Sequence, residues 1–294
     1  MWPHSSAKLP PSMDHSVAVL VAAVVVTVCV AAVLLFVFTQ QRQAPPGSPD
    51  ADESTWGLGD LIVVALVGGT LAVTIIGADV FVWGKPGGAP ELTGWTLVRG
   101  LVVQNLALVG TALLWIRQRY GRGLRELGWR LENWRREVPV GLVLGVLVFV
   151  GADAVQRLTG LALTRLTNPD LASQLMEQFG IARMVEGAFG FLPNGGRIVA
   201  VLVIAAFVPA CEELLFRGFA YTALKRRLGV TGGVVVSALV FAALHASPAD
   251  FAALFAVGAA LAWVYEWRGS LVAPIVAHGL NNLASAVLLL LGSG

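Results

Sequence analysis

The sequence predicts an all-α protein, a polytopic membrane helix bundle of about eight transmembrane helices. Three observations carry that expectation. Of 294 residues, 56% are hydrophobic and only 13% charged, with a mean hydropathy of +0.76. Uncharged apolar runs of roughly 18 residues or more, the length of a spanning helix, recur along the chain. The basic residues are gathered into a few short segments. This composition excludes an ordinary soluble protein, and a net charge of only +2 argues against a nucleic-acid partner. Cys29 and Cys211 both fall inside apolar runs, so no disulfide framework is expected.

In chain order, a polar tail over 1–15 precedes an uncharged run over 16–38. That run is too long for the core of a signal peptide, and only Lys8 stands before it, so it reads as a retained first span. Residues 40–59 are rich in Pro, Gly, Gln and acids, the composition of a flexible linker. Further spans are expected at 61–82, 98–116, 138–156, 198–224, 232–246, 248–266 and 271–291. Three regions follow: 1–60, a first span with its linker; 61–194, the first half of the core; and 195–294, the half that carries the chemistry.

Arg117, Arg119, Arg122, Arg125, Arg130, Arg135 and Arg136 crowd one inter-span segment, which the positive-inside rule assigns to the cytoplasm. Lys225-Arg226-Arg227 comes two spans later and Arg268 two spans after that, so both land on the same side. Within the basic segment Tyr120, Leu124, Leu127, Leu131 and Trp134 step by fours and threes, the stripe of an interfacial helix or of a surface helix packed on the core. Asn168-Pro169-Asp170 reads as a capped helix start in the loop over 157–196. Gly141 and Gly145 make a GxxxG packing pair.

The stretch Pro209-Ala210-Cys211-Glu212-Glu213-Leu214-Leu215-Phe216-Arg217 puts three charges inside an apolar run. A charge near the bilayer centre costs about 2.5–3.5 kcal/mol, and such residues face a protein interior or a wet cavity. At 1.5 Å per residue Glu212 lies ~20 Å from the cytoplasmic end of its span, His245 ~20 Å, His278 ~12 Å and Asn282 ~18 Å from theirs. The remaining histidines, His4 and His15, are in the tail. Glu213 and Arg217 are i,i+4 with the acid first, the favoured order for a pair, which leaves Glu212 free. Pro209 removes a helix hydrogen bond one turn earlier. Ser247-Pro248-Ala249-Asp250 looks like an N-cap with Pro at N1, so the sixth span stops just after His245.

A carboxylate and a histidine meeting at a water can take its proton and direct it at a carbonyl. A second histidine and an amide can then donate to the oxyanion. Glu212, His245 and His278 could instead hold a divalent metal such as zinc; the sequence leaves both open. The blander readings are a structural ion-pair cluster for Glu212, Glu213 and Arg217, a core histidine for His245, and an interhelical hydrogen bond for Asn282. A proton-coupled transporter would use the same residues as a relay, though it predicts repeat symmetry between halves, whereas these groups crowd into the last third. A non-catalytic immunity or scaffold protein is a further alternative. Gly57-Leu58-Gly59-Asp60 imitates the GxGD of aspartyl intramembrane proteases but sits at a linker end. No His-Glu-x-x-His is present.

Taken in order, Glu212-Glu213-x-x-x-Arg217, Phe241-x-x-x-His245 and His278-x-x-x-Asn282 resemble the three motifs of the CPBP intramembrane protease family, also called CAAX protease and bacteriocin-processing or Abi. The resemblance covers about residues 195–291. It implies an eight-helix membrane endopeptidase in which Glu212 activates water, His245 lies beside it, and His278 with Asn282 supplies oxyanion donors. Glu213, Arg217 and Phe241 would support them. It also implies a membrane-associated protein or peptide substrate, lipidated in the eukaryotic relatives that clip three residues from prenylated proteins. The expected location is the plasma membrane of a bacterium-like cell, with the site toward the cytoplasm.

Overall fold

The computed structural model describes residues 56–83, 94–179, 185 and 192–292, so the expected first span at 16–38 and most of the linker lie outside the described residues. Every described element is helical. In chain order they are α1 Leu58–Trp83, α2 Gly94–Tyr120, α3 Trp134–Leu166, α4 Pro169–Phe179 and α5 Asn194–Leu202. A π-helical segment, Val203–Phe207, leads into the short α6 Val208–Glu213, and a second, Leu214–Tyr221, leads into α7 Thr222–Leu244. Two more helices, α8 Phe251–Arg268 and α9 Val272–Gly292, complete the bundle.

Among the described residues five helical stretches are long and apolar enough to cross a membrane. One of them, Gly195–Leu244, is a 50-residue run that breaks at Gly229 (φ 70°, ψ 178°), between the fifth and sixth spans expected from sequence. The outward faces show what solvent the bundle is built for. Only 17% of the most apolar window of α3 is buried, and its exposed residues include Leu142, Val143, Val146, Leu147 and Val150. A soluble monomer rarely exposes such a continuous apolar face; a helix in hydrocarbon must. This is a helical membrane bundle.

Two packings position the site. Helix α3 lies against α9, and α8 packs between α3 and α7. The α3–α9 contact rests on the GxxxG pair. A Cβ on Gly141 would come within 2.7 Å of Val276 Cβ, and one on Gly145 within 2.9 Å of Leu280 Cβ, so only glycine lets the backbones approach this closely. Phe241, Val257, Leu261, Ala277 and Val148 form the apolar cluster where α3, α7, α8 and α9 meet.

Three boundaries differ from expectation. The stripe Tyr120, Leu124, Leu127, Leu131 and Trp134 does not form one helix: residues 121–133 are turns and irregular backbone. Gly121 (φ 63°) and Gly128 (φ 90°) take left-handed conformations that end helices. Leu127 is fully buried against Ile116 and Phe219 while Leu124 and Leu131 are exposed, so the stripe is not a face at all. The Gly128 carbonyl then accepts the Leu271 N–H at 2.8 Å, tying this loop to the start of α9. Secondly, α3 runs on to Leu166, which shortens the expected 157–196 loop. Its capped helix start is present, with the Leu171 N–H donating to Asn168 Oδ1 at 2.7 Å. Thirdly, α7 ends at Leu244 as expected, but α8 starts at Phe251, with Asp250 rather than Ser247 at the N-cap position and no side-chain cap bond. The Ser247 hydroxyl is turned onto Asp250 Oδ2 instead, at 2.7 Å.

Candidate active site

The site is assembled on a helix that Pro209 forces out of register. Proline has no N–H, so the carbonyls of Ala205 (four residues back) and Ile204 (five back) lose their backbone donors. The chain answers with a π turn, in which the Val208 N–H reaches Val203 O. Such single wide turns in α-helices recur at functional sites. Helix α9 then covers the two orphaned carbonyls. Asn282 Nδ2 donates to Ile204 O at 3.1 Å, and Gly279 packs so tightly on Ala205 O that any Cβ there would collide with it.

This close approach brings α9 alongside the charges of α6. Glu213 is fully buried, Arg217 is 1% exposed and His278 3%. Arg217 Nη1 donates to Glu213 Oε1 at 2.8 Å, and Nη2 to the Gly258 carbonyl of α8 at 3.1 Å. His278 Nδ1 lies 2.7 Å from the same Glu213 Oε1. An acceptor-only carboxylate oxygen at that distance assigns the proton to Nδ1, which turns the bare Nε2 outward. That Nε2 is 3.8 Å from Glu212 Oε2.

Phe241 is the hub on which the rings rest. The Arg217 guanidinium lies 4.8 Å above its ring, His278 meets it edge-on at 5.9 Å, and His245 leans on it at 4.6 Å. His245 Nδ1 is 2.7 Å from the Phe241 carbonyl, so it too carries its proton on Nδ1 and presents Nε2. Both imidazoles are therefore held in one tautomer with one nitrogen uncommitted.

Two acids are left short of donors. Glu212 Oε2 and Glu213 Oε2 are buried oxygens with no hydrogen-bond partner. A buried unpaired carboxylate oxygen is costly, and two of them on neighbouring residues call for a functional account. Metal is a separate matter. Among the described residues no three His, Cys, Asp or Glu side chains gather as a metal-ion set, so Glu212, His245 and His278 do not fit the zinc arrangement as they stand.

The structure thus brings together Glu212, Glu213, Arg217, His278 and Phe241, with His245 against the Phe241 ring and Asn282 one turn along α9 from His278. Gly258 and Ile204 were not foreseen. Their carbonyls act, not their side chains, and an apolar residue's carbonyl leaves no mark in sequence. Asp60 of the GxGD-like run is saturated by the Trp115 indole (2.7 Å), the Tyr120 hydroxyl (2.8 Å) and the Gly57 N–H (2.7 Å), which makes it a structural knot between α1 and α2.

Comparison with known proteins bears on this same stretch. Residues 194–284 match the family model described as type II CAAX prenyl endopeptidase Rce1-like. The match is consistent with the CPBP family and supports, at family level, a CAAX-type endopeptidase activity of a membrane protein. No curated protein and no solved structure matches the chain.

Proposed function

We propose, from the premise that residues 194–284 carry the pattern of type II CAAX endopeptidases, that this chain hydrolyses a peptide bond within the membrane and that Glu212 is the base. Glu212 takes a proton from a water held between its Oε2 and the Nε2 face of a histidine. The hydroxide adds to the substrate carbonyl, giving a tetrahedral oxyanion. Collapse of that adduct breaks the C–N bond, and the leaving amine recovers the proton from Glu212. The observation that carries the reading is the buried, donorless Glu212 Oε2 lying 3.8 Å from His278 Nε2.

Roles for the remaining groups follow from what each has left to give. Glu213 spends Oε1 on Arg217 and His278, fixing the imidazole, and is a positioning residue with Arg217. Asn282 has two amide hydrogens; one is on Ile204 O, and the other serves the oxyanion. His245 offers its Nε2 as an acceptor toward the same water. The substrate is a membrane-associated protein or peptide, lipidated if the chain works as a CAAX enzyme, cut near its C-terminus or at the membrane boundary. The clustering of arginine at one end of the bundle supports a site open to the cytoplasm of a bacterium-like cell, in its plasma membrane.

The test is Glu212→Gln in the full-length protein, reconstituted in lipid and presented with prenylated C-terminal peptides alongside a comparison of membrane proteomes. Glutamine preserves shape and removes the base, so cleavage falls by about 10²–10⁴ with the fold intact. Wild-type cleavage by that variant would overturn the assignment.

A further inference from the structure

At the arginine-rich end of the bundle a cavity of about 490 Å³ opens between the loop before α3 and the turn joining α8 to α9. Arg125, Arg130, Arg268, Glu132, Glu137 and Ser270 line it. Its acids are already spoken for. Glu132 pairs with Arg125 at 2.9 Å, and Glu137 holds Arg268 through two bonds of 2.6 and 2.9 Å. That leaves Arg130, exposed and without an ion-pair partner among the described residues. Three arginines against two glutamates give the cavity one surplus positive charge, and Arg130 carries it.

Two helix N-termini add to that field. Asn133, just before α3, and Ser270, two residues before α9, line the cavity, and the dipoles of both helices favour an anion there. A free anion has no use for the exposed apolar residues that flank this lining in sequence, however. Leu131 is 54% exposed, Trp134 49% and Trp267 67%, each within three residues of a lining side chain. Arginines stack on both indoles, Arg268 at 4.9 Å over Trp267 and Arg135 at 5.6 Å over Trp134. Exposed tryptophans at the ends of spanning helices mark the headgroup level of a bilayer. A basic pocket between spans at that level takes a lipid phosphate.

We propose that this cavity binds the phosphate of an anionic lipid headgroup, with Arg130 in direct contact and the Trp134–Trp267 rim against the acyl–glycerol boundary. The site is separate from the intramembrane carboxylates and is read without any cleavage assay. The probe is phosphatidylglycerol, titrated into full-length protein held in phosphatidylcholine nanodiscs, with retained lipid counted by native mass spectrometry.

Arg130→Gln removes one charge-assisted contact and weakens retention about tenfold. Arg227→Gln, an exposed arginine on the same side but outside the cavity, changes it by less than about twofold. Because the Arg130 side chain is exposed, its replacement leaves the fold alone; Arg125→Gln, which releases Glu132 into the cavity, is a second route to the same loss. Equal retention by wild type and Arg130→Gln overturns the proposal. So does equal weakening by Arg227→Gln, which would mean diffuse surface attraction. Displacement of the lipid by millimolar inorganic phosphate would keep the anion chemistry but overturn the lipid as its source.

Discussion

Two arginine–glutamate pairs, one partly exposed at its arginine and one fully buried, are finished in opposite ways. At the arginine-rich end, Arg268 grips both oxygens of Glu137, one at 2.6 Å and one at 2.9 Å, and nothing on the acid is left over. In the middle of a span, Arg217 and His278 both bond Glu213 Oε1, while Glu213 Oε2 and the neighbouring Glu212 Oε2 have no donor. The first pair is closed. The second is deliberately short of hydrogen bonds in the environment where that shortage is most costly. A cluster that served only stability would resemble the first. The difference points to function at α6 and not at the start of α3.

The contrast is broken most severely at Arg217. Its guanidinium is buried and charge-paired, so Arg217→Met leaves Glu213 as a largely uncompensated buried acid, which costs roughly 3–5 kcal/mol. We expect a steep loss of resistance to denaturation and loss of cleavage. The double variant Glu213→Gln/Arg217→Met removes both charges and should recover most of the stability, since replacing a whole buried pair is often near neutral. If the pair positions His278 for chemistry, cleavage stays lost in the double variant. Recovery of both together would make the pair purely structural.

What the sequence disclosed here follows from how loud each signal is. Three charges in an apolar run announce themselves, and so do histidines inside spans, so Glu212, Glu213, Arg217, His245 and His278 were all visible. Their partners were less so. Depth arithmetic sets Glu212 level with His245, yet the nitrogen the structure sets 3.8 Å from Glu212 Oε2 belongs to His278. Depth along a helix says nothing of azimuth, and azimuth here is set by the π turn that Pro209 provokes and by Gly279 seated on Ala205. The apolar stripe through the basic loop misled for a related reason. Spacing by threes and fours is necessary for a helix, but Gly121, Gly123 and Gly128 make another backbone cheaper, and Leu127 gains more by entering the core alone.

A smaller effect separates the two uses proposed for Asn282. One amide hydrogen holds the carbonyl that Pro209 orphaned, and the other is the one proposed for the oxyanion. Asn282→Ala should cost roughly 0.6–1.7 kcal/mol of stability, the range for interhelical hydrogen bonds in membranes. Its effect on turnover should be larger, about 10²–10³ in kcat, the typical loss of an oxyanion donor. A stability loss with unchanged kcat would return Asn282 to packing alone.

The smallest effect tests the closed pair. Glu137 is buried, but Arg268 is 24% exposed at the end of α8 and can turn its guanidinium to the headgroup region when released. Glu137→Gln keeps one acceptor and loses the charge, so the expected cost is about 1.5–3 kcal/mol, less than at Arg217 despite the shorter contact. Cleavage per folded molecule should not change, because α9 remains seated on α3 through Gly141 and Gly145 and His278 keeps its place. A fall in kcat at full folding would show that the end of the bundle also sets the geometry of its middle. The division between a structural pair and a working one would then be wrong.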